Sequence, residues 1–460
     1  MSITFDRVSY ENPDELIFGN SKNSIKFDNG MEIGGGMVYP EINFTLSSIN
    51  INKNSIKKIT KQYQEITEGV CERAVELYVP GLVVEIELLP PTTYNPEWGI
   101  EIIKTVKDVI NKYQEEHNIK GLLRATPVDI REDKRSEHMW RGKYWDKVMK
   151  TFRGSAEAGA DLLSIESIGG KNLHDEALMY CQLDKSLFSL GVLGARDMSH
   201  LWSSIVDIAD ETNTVAAGDT ACAFANTAMV MGDQGLIPKV FSAVVRVMSA
   251  IRSMVALEKG AIGPHKDCGY EGIYIKAITG TPISMEGRTS AVAHLSPVGN
   301  IAACAADLWS NESVQNVKLL GGKAPTISME QLAYDCRLMN TSLKNGKESS
   351  LNLRNLHSDS DSKLDPNAYV LKPEVVVRIA KEIVKGETHL QKIKTAAVKA
   401  IEEIRKGIKT DKLKIDEKEI QWLDMMEQQL ASIPDNETKF TEQMLNSHES
   451  DKFAPEKYDL

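Results

Sequence analysis

The chain has 460 residues, and its 54 Lys and Arg against 65 Asp and Glu give a formal net charge of −11 at pH 7. That charge, without a basic stripe interleaved with aromatic residues, argues against a nucleic-acid partner. No apolar run reaches the roughly 20 residues that a membrane span needs, so we expect a cytoplasmic protein that does not bind membranes. The length fits a barrel of about 250 residues with extensions at both ends.

Residues 1–80 are predicted to form an N-terminal segment with a short hairpin and a helix. Gly30, Gly34, Gly35, Gly36 and Pro40 indicate turns. The apolar residues between 59 and 77 recur every three or four positions, which is the spacing of one helical face.

Between residues 81 and 345 short apolar runs alternate with longer amphipathic segments, as β/α units do. Strands are predicted to begin near residues 82, 121, 160, 187 and 214. A sixth strand is expected just before Gly263-Pro264, and candidates for the last two strands and their helices are 282–285, 291–309, 317–320 and 327–343. Eight such units predict an α/β protein with a (β/α)8 TIM barrel, and a doubly wound sheet is the alternative.

Residues 346–460 are predicted to hold a linker and a helical C-terminal extension. The stretch 344–365 is rich in Ser, Asn, Asp, Lys and Gly, which indicates a linker or an exposed loop. Beyond Pro373 the apolar spacing is helical.

Six cysteines are spread along the chain. In a chain of this length they do not indicate a disulfide framework, and we predict reduced thiols that are mostly buried. Four lie in helical or peripheral contexts and are interpreted as core residues: Cys71, Cys181, Cys304 and Cys336.

Three predicted strand ends carry side chains that suit a metal ion, namely Glu166, Cys222 and Cys268. Zinc accepts carboxylate and thiolate ligands, and a catalytic zinc keeps three protein ligands and one exchangeable position. Functional groups of a barrel lie at the carboxyl ends of its strands, so these residues form a candidate zinc site. On position alone the alternative stays open that the cysteines are core residues and Glu166 an ion-pair partner.

Three longer motifs carry a resemblance to a known family. They are Gly218-Asp219-Thr220-Ala221-Cys222-Ala223-Phe224-Ala225-Asn226, Gly263-Pro264-His265-Lys266-Asp267-Cys268-Gly269-Tyr270-Glu271-Gly272 and Pro282-Ile283-Ser284-Met285-Glu286-Gly287. They resemble the zinc-containing B subunit of the methanol:corrinoid methyltransferases of methanogens and some acetogenic bacteria. The resemblance covers most of the chain, and it implies a (β/α)8 barrel and one zinc ion per chain with Glu166, Cys222 and Cys268 as ligands.

The same resemblance implies a reaction and partners. The methyl group of methanol would pass to the cobalt(I) of a corrinoid on a partner protein, giving methyl-cobalt(III) and water. Zinc would polarise the methanol oxygen, which is otherwise a poor leaving group. The corrinoid protein is expected to dock over the barrel mouth, and a homodimer within a larger complex is expected.

A proton donor is expected as well, because two thiolates and a carboxylate lower the acidity of a bound zinc ion. The candidates, each of which is equally a residue that orients a ligand, are Asp219, Asp267, His265 and Glu87. His138 and His294 are interpreted as surface or core residues. Two other functions stay open, a zinc-dependent barrel hydrolase and a non-catalytic scaffold for the corrinoid protein.

Overall fold

The computed structural model describes residues 3–46, 50–132, 138–266, 269–293, 295–314, 318–447 and 454–460. The strands in these ranges are β1 (Asn20–Lys26), β2 (Glu32–Gly35), β3 (Tyr39–Thr45), β4 (Gly81–Leu88), β5 (Lys120–Pro127), β6 (Leu162–Ile165), β7 (Val215–Asp219), β8 (Ser284–Glu286), β9 (Leu308–Val314), β10 (Lys318–Leu319) and β11 (Gly322–Lys323).

The α-helices in the same ranges are α1 (Ile56–Glu76), α2 (Pro90–Tyr94), α3 (Pro96–His117), α4 (Lys143–Glu157), α5 (Lys171–Met179), α6 (Leu183–Phe188), α7 (Ala195–Thr212), α8 (Thr227–Asp233), α9 (Lys239–Glu258), α10 (Gly272–Thr279), α11 (Arg288–Ala293), α12 (Ala324–Lys344), α13 (Lys347–Ser362), α14 (Pro366–Tyr369), α15 (Pro373–Ile383), α16 (His389–Lys409), α17 (Glu417–Ala431) and α18 (Glu437–Leu445). Two π-helical segments (Ser189–Gly194 and Cys222–Asn226) and a 3-10 helix near the C-terminus (Pro455–Tyr458) also matter for the site.

One parallel sheet has the strand order β7-β6-β5-β4-β3-β9-β8. Its two edges are joined by the segment 262–266: Ile262 N donates to Ala216 O at 2.9 Å, and His265 N donates to Pro282 O at 2.9 Å. This segment takes the place of an eighth strand, so the sheet closes on itself. The predicted (β/α)8 barrel is confirmed.

Alternate residues of each strand face the barrel interior, because side chains of a strand alternate between its two faces. At the amino ends of the strands the interior is apolar, and Met31 and Ile33 of the β1–β2 hairpin pack there against one layer of barrel residues: Tyr39, Val83, Leu122, Leu162, Ala217 and Leu308. The predicted N-terminal hairpin therefore exists, and it closes the bottom of the barrel.

Two of the predicted barrel strands, 187–193 and 317–320, are wrong, and of the second only residues 318–319 form a strand, β10, which pairs with β11 outside the barrel sheet. Residues 187–193 lie at the end of α6 and in the π-helical segment after it, which is fully buried; a short apolar run does not distinguish a buried helix from a buried strand. The last strand of the sheet is β9, which begins at Leu308 and so overlaps the end of the helix that was predicted at 291–309. β3, which precedes residue 81, supplies the missing strand.

The stretch 344–365 is helical rather than a loop, because α13 spans most of it. The helices beyond it pack on the barrel: Lys392 and His389 of α16 bind the two carboxylate oxygens of Glu258, at 2.9 and 2.7 Å. Glu258 ends α9, the only helix of the described chain that is long and apolar enough to cross a membrane. The apolar stretch of α9 is entirely buried inside the protein, as in a core helix.

Candidate active site

The predicted ligands Glu166 and Cys222 lie beyond the carboxyl ends of neighbouring strands. Glu166 directly follows β6, and its neighbour Ile165 is paired with Asp219, the last residue of β7. Cys222 begins the π-helical segment that follows β7. The register of β6 and β7 therefore brings both residues to the same part of the barrel rim.

The chain on both sides of residues 267–268 contacts these two strand ends. Lys266 Nζ lies 3.2 Å from Glu166 Oε1, and Gly269 N donates to Thr220 Oγ1 at 3.0 Å. The segment therefore approaches the end of β6 on one side and the loop after β7 on the other.

Cys268, the third predicted ligand, and Asp267 lie outside the described residues. Within the described residues there is no group of three His, Cys, Asp or Glu side chains placed to hold a metal ion. Cys268 is not among those residues, so the predicted ligand set stays a prediction.

Cys222 is half-buried, and Asn226 Nδ2 donates to its Sγ at 3.6 Å. Thiolate is a ligand that zinc accepts, and Cys222 stays a predicted ligand beyond the end of β7.

The four cysteines that were predicted to be core residues are buried free thiols. Burial raises the pKa of Cys181 to about 11 and that of Cys71 to about 12. It also raises the pKa of Cys304 and of Cys336. These thiols are protonated at neutral pH, which confirms their interpretation as core residues.

One ammonium group joins two carboxylates at the barrel rim. Lys266, whose side chain is 1% exposed, lies 3.2 Å from both Glu85 Oε1 and Glu166 Oε1. Thr126 Oγ1 also donates to Glu85 Oε1, at 2.6 Å. The Glu166 side chain is still 24% exposed, so Glu166 is anchored through one oxygen and remains accessible.

Glu87 follows Glu85 on the interior face of β4 and is one of the predicted proton-donor candidates. Burial, and after it the charge of Glu166, raise the pKa of Glu87 well above its ordinary value, although Lys266 opposes this effect. Burial therefore favours the protonated form of Glu87, which keeps it a proton-donor candidate beside Glu166.

Asp219 joins the ends of β6 and β7. Its Oδ1 accepts from Ser167 N at 3.3 Å and its Oδ2 accepts from Trp202 Nε1 at 3.0 Å. Burial raises the pKa of Asp219 to about 6. Because both of its oxygens accept hydrogen bonds from fixed groups, the geometry favours the orienting role over that of proton donor.

Glu271 is a site residue that the sequence reasoning missed. Its Oε1 accepts from Ala221 N at 2.7 Å and from Ser253 Oγ at 2.8 Å, and it lies 3.6 Å from Nε2 of the buried His265. Burial opposes ionisation of Glu271, but His265 and the Ala221 amide outweigh it and lower the pKa of the carboxyl. Glu271 is thus an anion that holds the backbone next to Cys222.

The backbone at position 269 passes so close to the Glu271 carboxylate that a side chain there would collide with it. A Cβ atom at position 269 would lie 1.7 Å from Glu271 Oε2. The Cys268-Gly269-Tyr270-Glu271 sequence contained the signal, since a carboxylate three residues after a candidate ligand is well placed to bind the ligand's neighbours.

The surroundings of His138 agree with its interpretation as a surface or core residue. His138 Nε2 lies 3.0 Å from Asp459 Oδ1 near the protein surface, and its ring packs edge-on against Trp140. His294 lies outside the described residues.

The fold and the arrangement of these side chains define a barrel enzyme with its polar site at the carboxyl ends of the strands. The family model for the methanol-cobalamin methyltransferase B subunit matches residues 2–459. The chain therefore belongs to the methanol-cobalamin methyltransferase B subunit family, and it is a methyltransferase.

Two relatives cover the chain from end to end. A methanol–corrinoid protein co-methyltransferase of Methanosarcina barkeri (strain Fusaro) is 40% identical over 99% of this chain and 98% of its own length. The crystal structure of the methanol:cobalamin methyltransferase complex MtaBC of Methanosarcina barkeri contains a chain that is 38% identical, with a TM-score of 0.93 and 99% of both chains covered.

Proposed function

We propose that this chain transfers the methyl group of methanol to the cobalt(I) of a corrinoid carried on a partner protein, with one zinc ion held by Glu166, Cys222 and Cys268. The observation that carries the proposal is the end-to-end match to a relative of that named activity, at 40% identity. Bound zinc would act as a Lewis acid on the methanol oxygen.

The residues present fit a zinc ion. One carboxylate and two sulfurs are ligands that zinc accepts, and three protein ligands are what a catalytic zinc site uses. The pairing of Ile165 with Asp219, at the ends of the strands that precede Glu166 and Cys222, supports their proximity. The contacts of Lys266 and Gly269 support the approach of the third segment to both.

The other side chains of the rim position the reacting groups. Lys266 holds Oε1 of Glu166, and the carboxylate of Glu166 would be one of the ligands of the metal. The departing hydroxide needs a proton, and Glu87 is the candidate donor, because burial favours its protonated form.

We further propose that the corrinoid protein docks over the barrel mouth, where Glu166 is accessible. The MtaBC crystal structure, a complex, supports a partner for this subunit. A homodimer within that larger complex, a cytoplasmic location and a role in methanol metabolism for methanogenesis or acetogenesis complete the proposal. The free thiols at the four core positions suit a reducing compartment.

The test is zinc content together with methanol-dependent methylation of cobalt(I) corrinoid, followed by absorbance, on protein purified under reducing conditions. Wild type, Cys222→Ala and Cys268→Ala are compared with Cys71→Ala, the same change at a buried cysteine away from the site. We expect about one zinc per chain and methylation in wild type and Cys71→Ala, and the loss of both in the two ligand variants.

Each other result identifies a different error. Methylation that survives both ligand substitutions would show that the ligand set is wrong. Zinc with hydrolytic activity and no methyl transfer would favour the hydrolase. Binding of the corrinoid protein with neither zinc nor turnover would favour the scaffold.

A further inference from the structure

The loop between β6 and α5, which begins with Glu166, has its amides held by side chains from distant parts of the chain. Ser167 N donates to Asp219 Oδ1 at 3.3 Å, and Ile168 N donates to Asp129 Oδ2 at 3.1 Å. Since a loop has no ladder of backbone hydrogen bonds, these side chains determine its conformation.

The end of this loop is held by the C-terminus of the chain. Gly170 N donates to the hydroxyl of Tyr458 at 2.7 Å, and to Glu132 Oε1 at the longer distance of 3.2 Å. The Tyr458 hydroxyl in turn donates to Glu132 Oε1 at 2.5 Å. One phenol group therefore satisfies both a loop amide and a buried carboxyl group.

Gly170 is confined on its other side as well. Ser189 Oγ donates to Gly170 O at 2.7 Å. The residue has a φ of +89°, and a Cβ atom would lie 2.7 Å from Ser189 O. Gly170 is therefore closely packed against Ser189 on one side and hydrogen-bonded to Tyr458 on the other.

The C-terminal turn is itself anchored to the protein. Lys457 O accepts from Met139 N at 3.2 Å, and Asp459 Oδ1 lies 3.0 Å from His138 Nε2 and 3.1 Å from Arg141 NH2. The Tyr458 side chain is fully buried. The turn is thus docked against the segment 138–141 and presents its phenol group inward.

We propose that Tyr458 is a positioning residue for Glu166. The C-terminal turn Pro455–Tyr458 fixes Gly170, and through the short loop it fixes the carboxylate that ligates zinc. This inference rests on the proposed zinc site. It gives the last residues of the chain a role in the site, although they are almost 300 positions from Glu166 in the sequence.

The test compares wild type, Tyr458→Phe, which removes only the hydroxyl, and Glu456→Ala, which changes an exposed residue of the same turn. Hydrogen exchange is measured on metal-free, reduced protein for the peptide that contains Gly170. In Tyr458→Phe we expect about tenfold or faster exchange of that amide, and wild-type exchange in Glu456→Ala.

Metal binding is then measured on the same three proteins. We expect Tyr458→Phe to bind zinc about 10–100-fold more weakly, the usual effect of losing a group that orients a ligand, and to shift the absorption bands of bound cobalt(II). A role in stability alone would lower the unfolding temperature without moving those bands.

Wild-type zinc affinity and cobalt(II) spectrum in Tyr458→Phe would overturn the inference, even if the amide exchanged faster. A wild-type protein that binds no zinc would instead contradict the proposed function itself. The two failures are distinguished by the wild-type measurement.

Discussion

Two groups of polar side chains in the barrel interior, here called the lower and the upper layer, differ in charge balance, although Glu85 of the upper layer pairs in register with Arg124 of the lower one. In the lower layer Arg124 Nε donates to Glu41 Oε1 at 2.7 Å, and Arg124 NH1 donates to Ser164 Oγ at 2.8 Å and to Pro264 O at 3.0 Å. Ser284 Oγ donates to the other oxygen of Glu41. One cation meets one anion, and both side chains are fully buried.

The upper layer at the barrel rim has excess negative charge. Lys266 is shared by Glu85 and Glu166, and Glu87 and Glu312 lie close enough for Glu312 to raise the pKa of Glu87 further. Burying unbalanced carboxylates is unfavourable unless a proton or a cation compensates.

The difference separates structure from function. The lower layer joins β3, β5, β6 and the segment 262–266 across the barrel, and it needs nothing from outside. A metal cation would offset the charge of the rim, and burial raises the pKa of Glu87 there; perturbed groups of this kind are common where chemistry occurs.

Breaking the lower layer is expected to have the largest effect on stability. Arg124→Met leaves the buried Glu41 without its cation, and removal of one partner of a buried pair costs about 3–5 kcal/mol. The free energy of unfolding from denaturant titration measures this loss.

The matched control for Arg124→Met is the double variant Arg124→Met/Glu41→Gln, in which no unpaired buried charge remains. It should recover a large part of the loss. An unfolding free energy of Arg124→Met within 1 kcal/mol of wild type would contradict the description of this pair as the structural layer, since a surface pair is worth about that much.

Much of the barrel could be predicted from the alternation of β/α units, but its charged interior could not. Glu85 and Glu87 alternate with apolar residues on β4, which is also the pattern of a strand with one solvated face. Only closure of the sheet turns that face inward. β3 was missed for a related reason, because Pro40, Glu41 and Asn43 interrupt its apolar pattern.

The candidate site was predictable in part. Glu166 and Cys222 are marked by their places after apolar strands, and the pairing of Ile165 with Asp219 brings the ends of those two strands side by side. Tyr458 and Asp129 carry no local signal, because their contacts with the Glu166 loop come from chain folding over long sequence separations.

A smaller effect is expected at Asp219, a buried carboxylate at the end of β7 that lies 3.9 Å from Arg252 NH1. Its pKa is raised from 3.8 to about 6 in the folded protein, so the folded state binds this proton more tightly than the unfolded state. Stability should therefore fall as pH rises from about 4 to about 6, by roughly 3 kcal/mol.

Asp219→Asn tests this pH dependence on metal-free, reduced protein. The asparagine cannot titrate, so the difference in unfolding free energy between wild type and variant should change with pH across that window and be constant above it. If the unfolding free energies of the two proteins changed in parallel with pH, the pKa of Asp219 would not be raised in the folded protein.

The smallest of these effects, and the one most specific to the rim, is expected for Lys266→Met. Without the ammonium group, Oε1 of Glu166 is no longer held, and we expect zinc affinity to fall about 10–100-fold, equivalent to roughly 1.4–2.7 kcal/mol. Competition with a chelator measures this change.

Lys323→Met is the control, because Lys323 forms a more exposed ion pair with Glu65 at 3.3 Å. This variant should bind zinc as wild type does. Equal zinc affinities in the two variants would mean that the rim charges do not position the ligand.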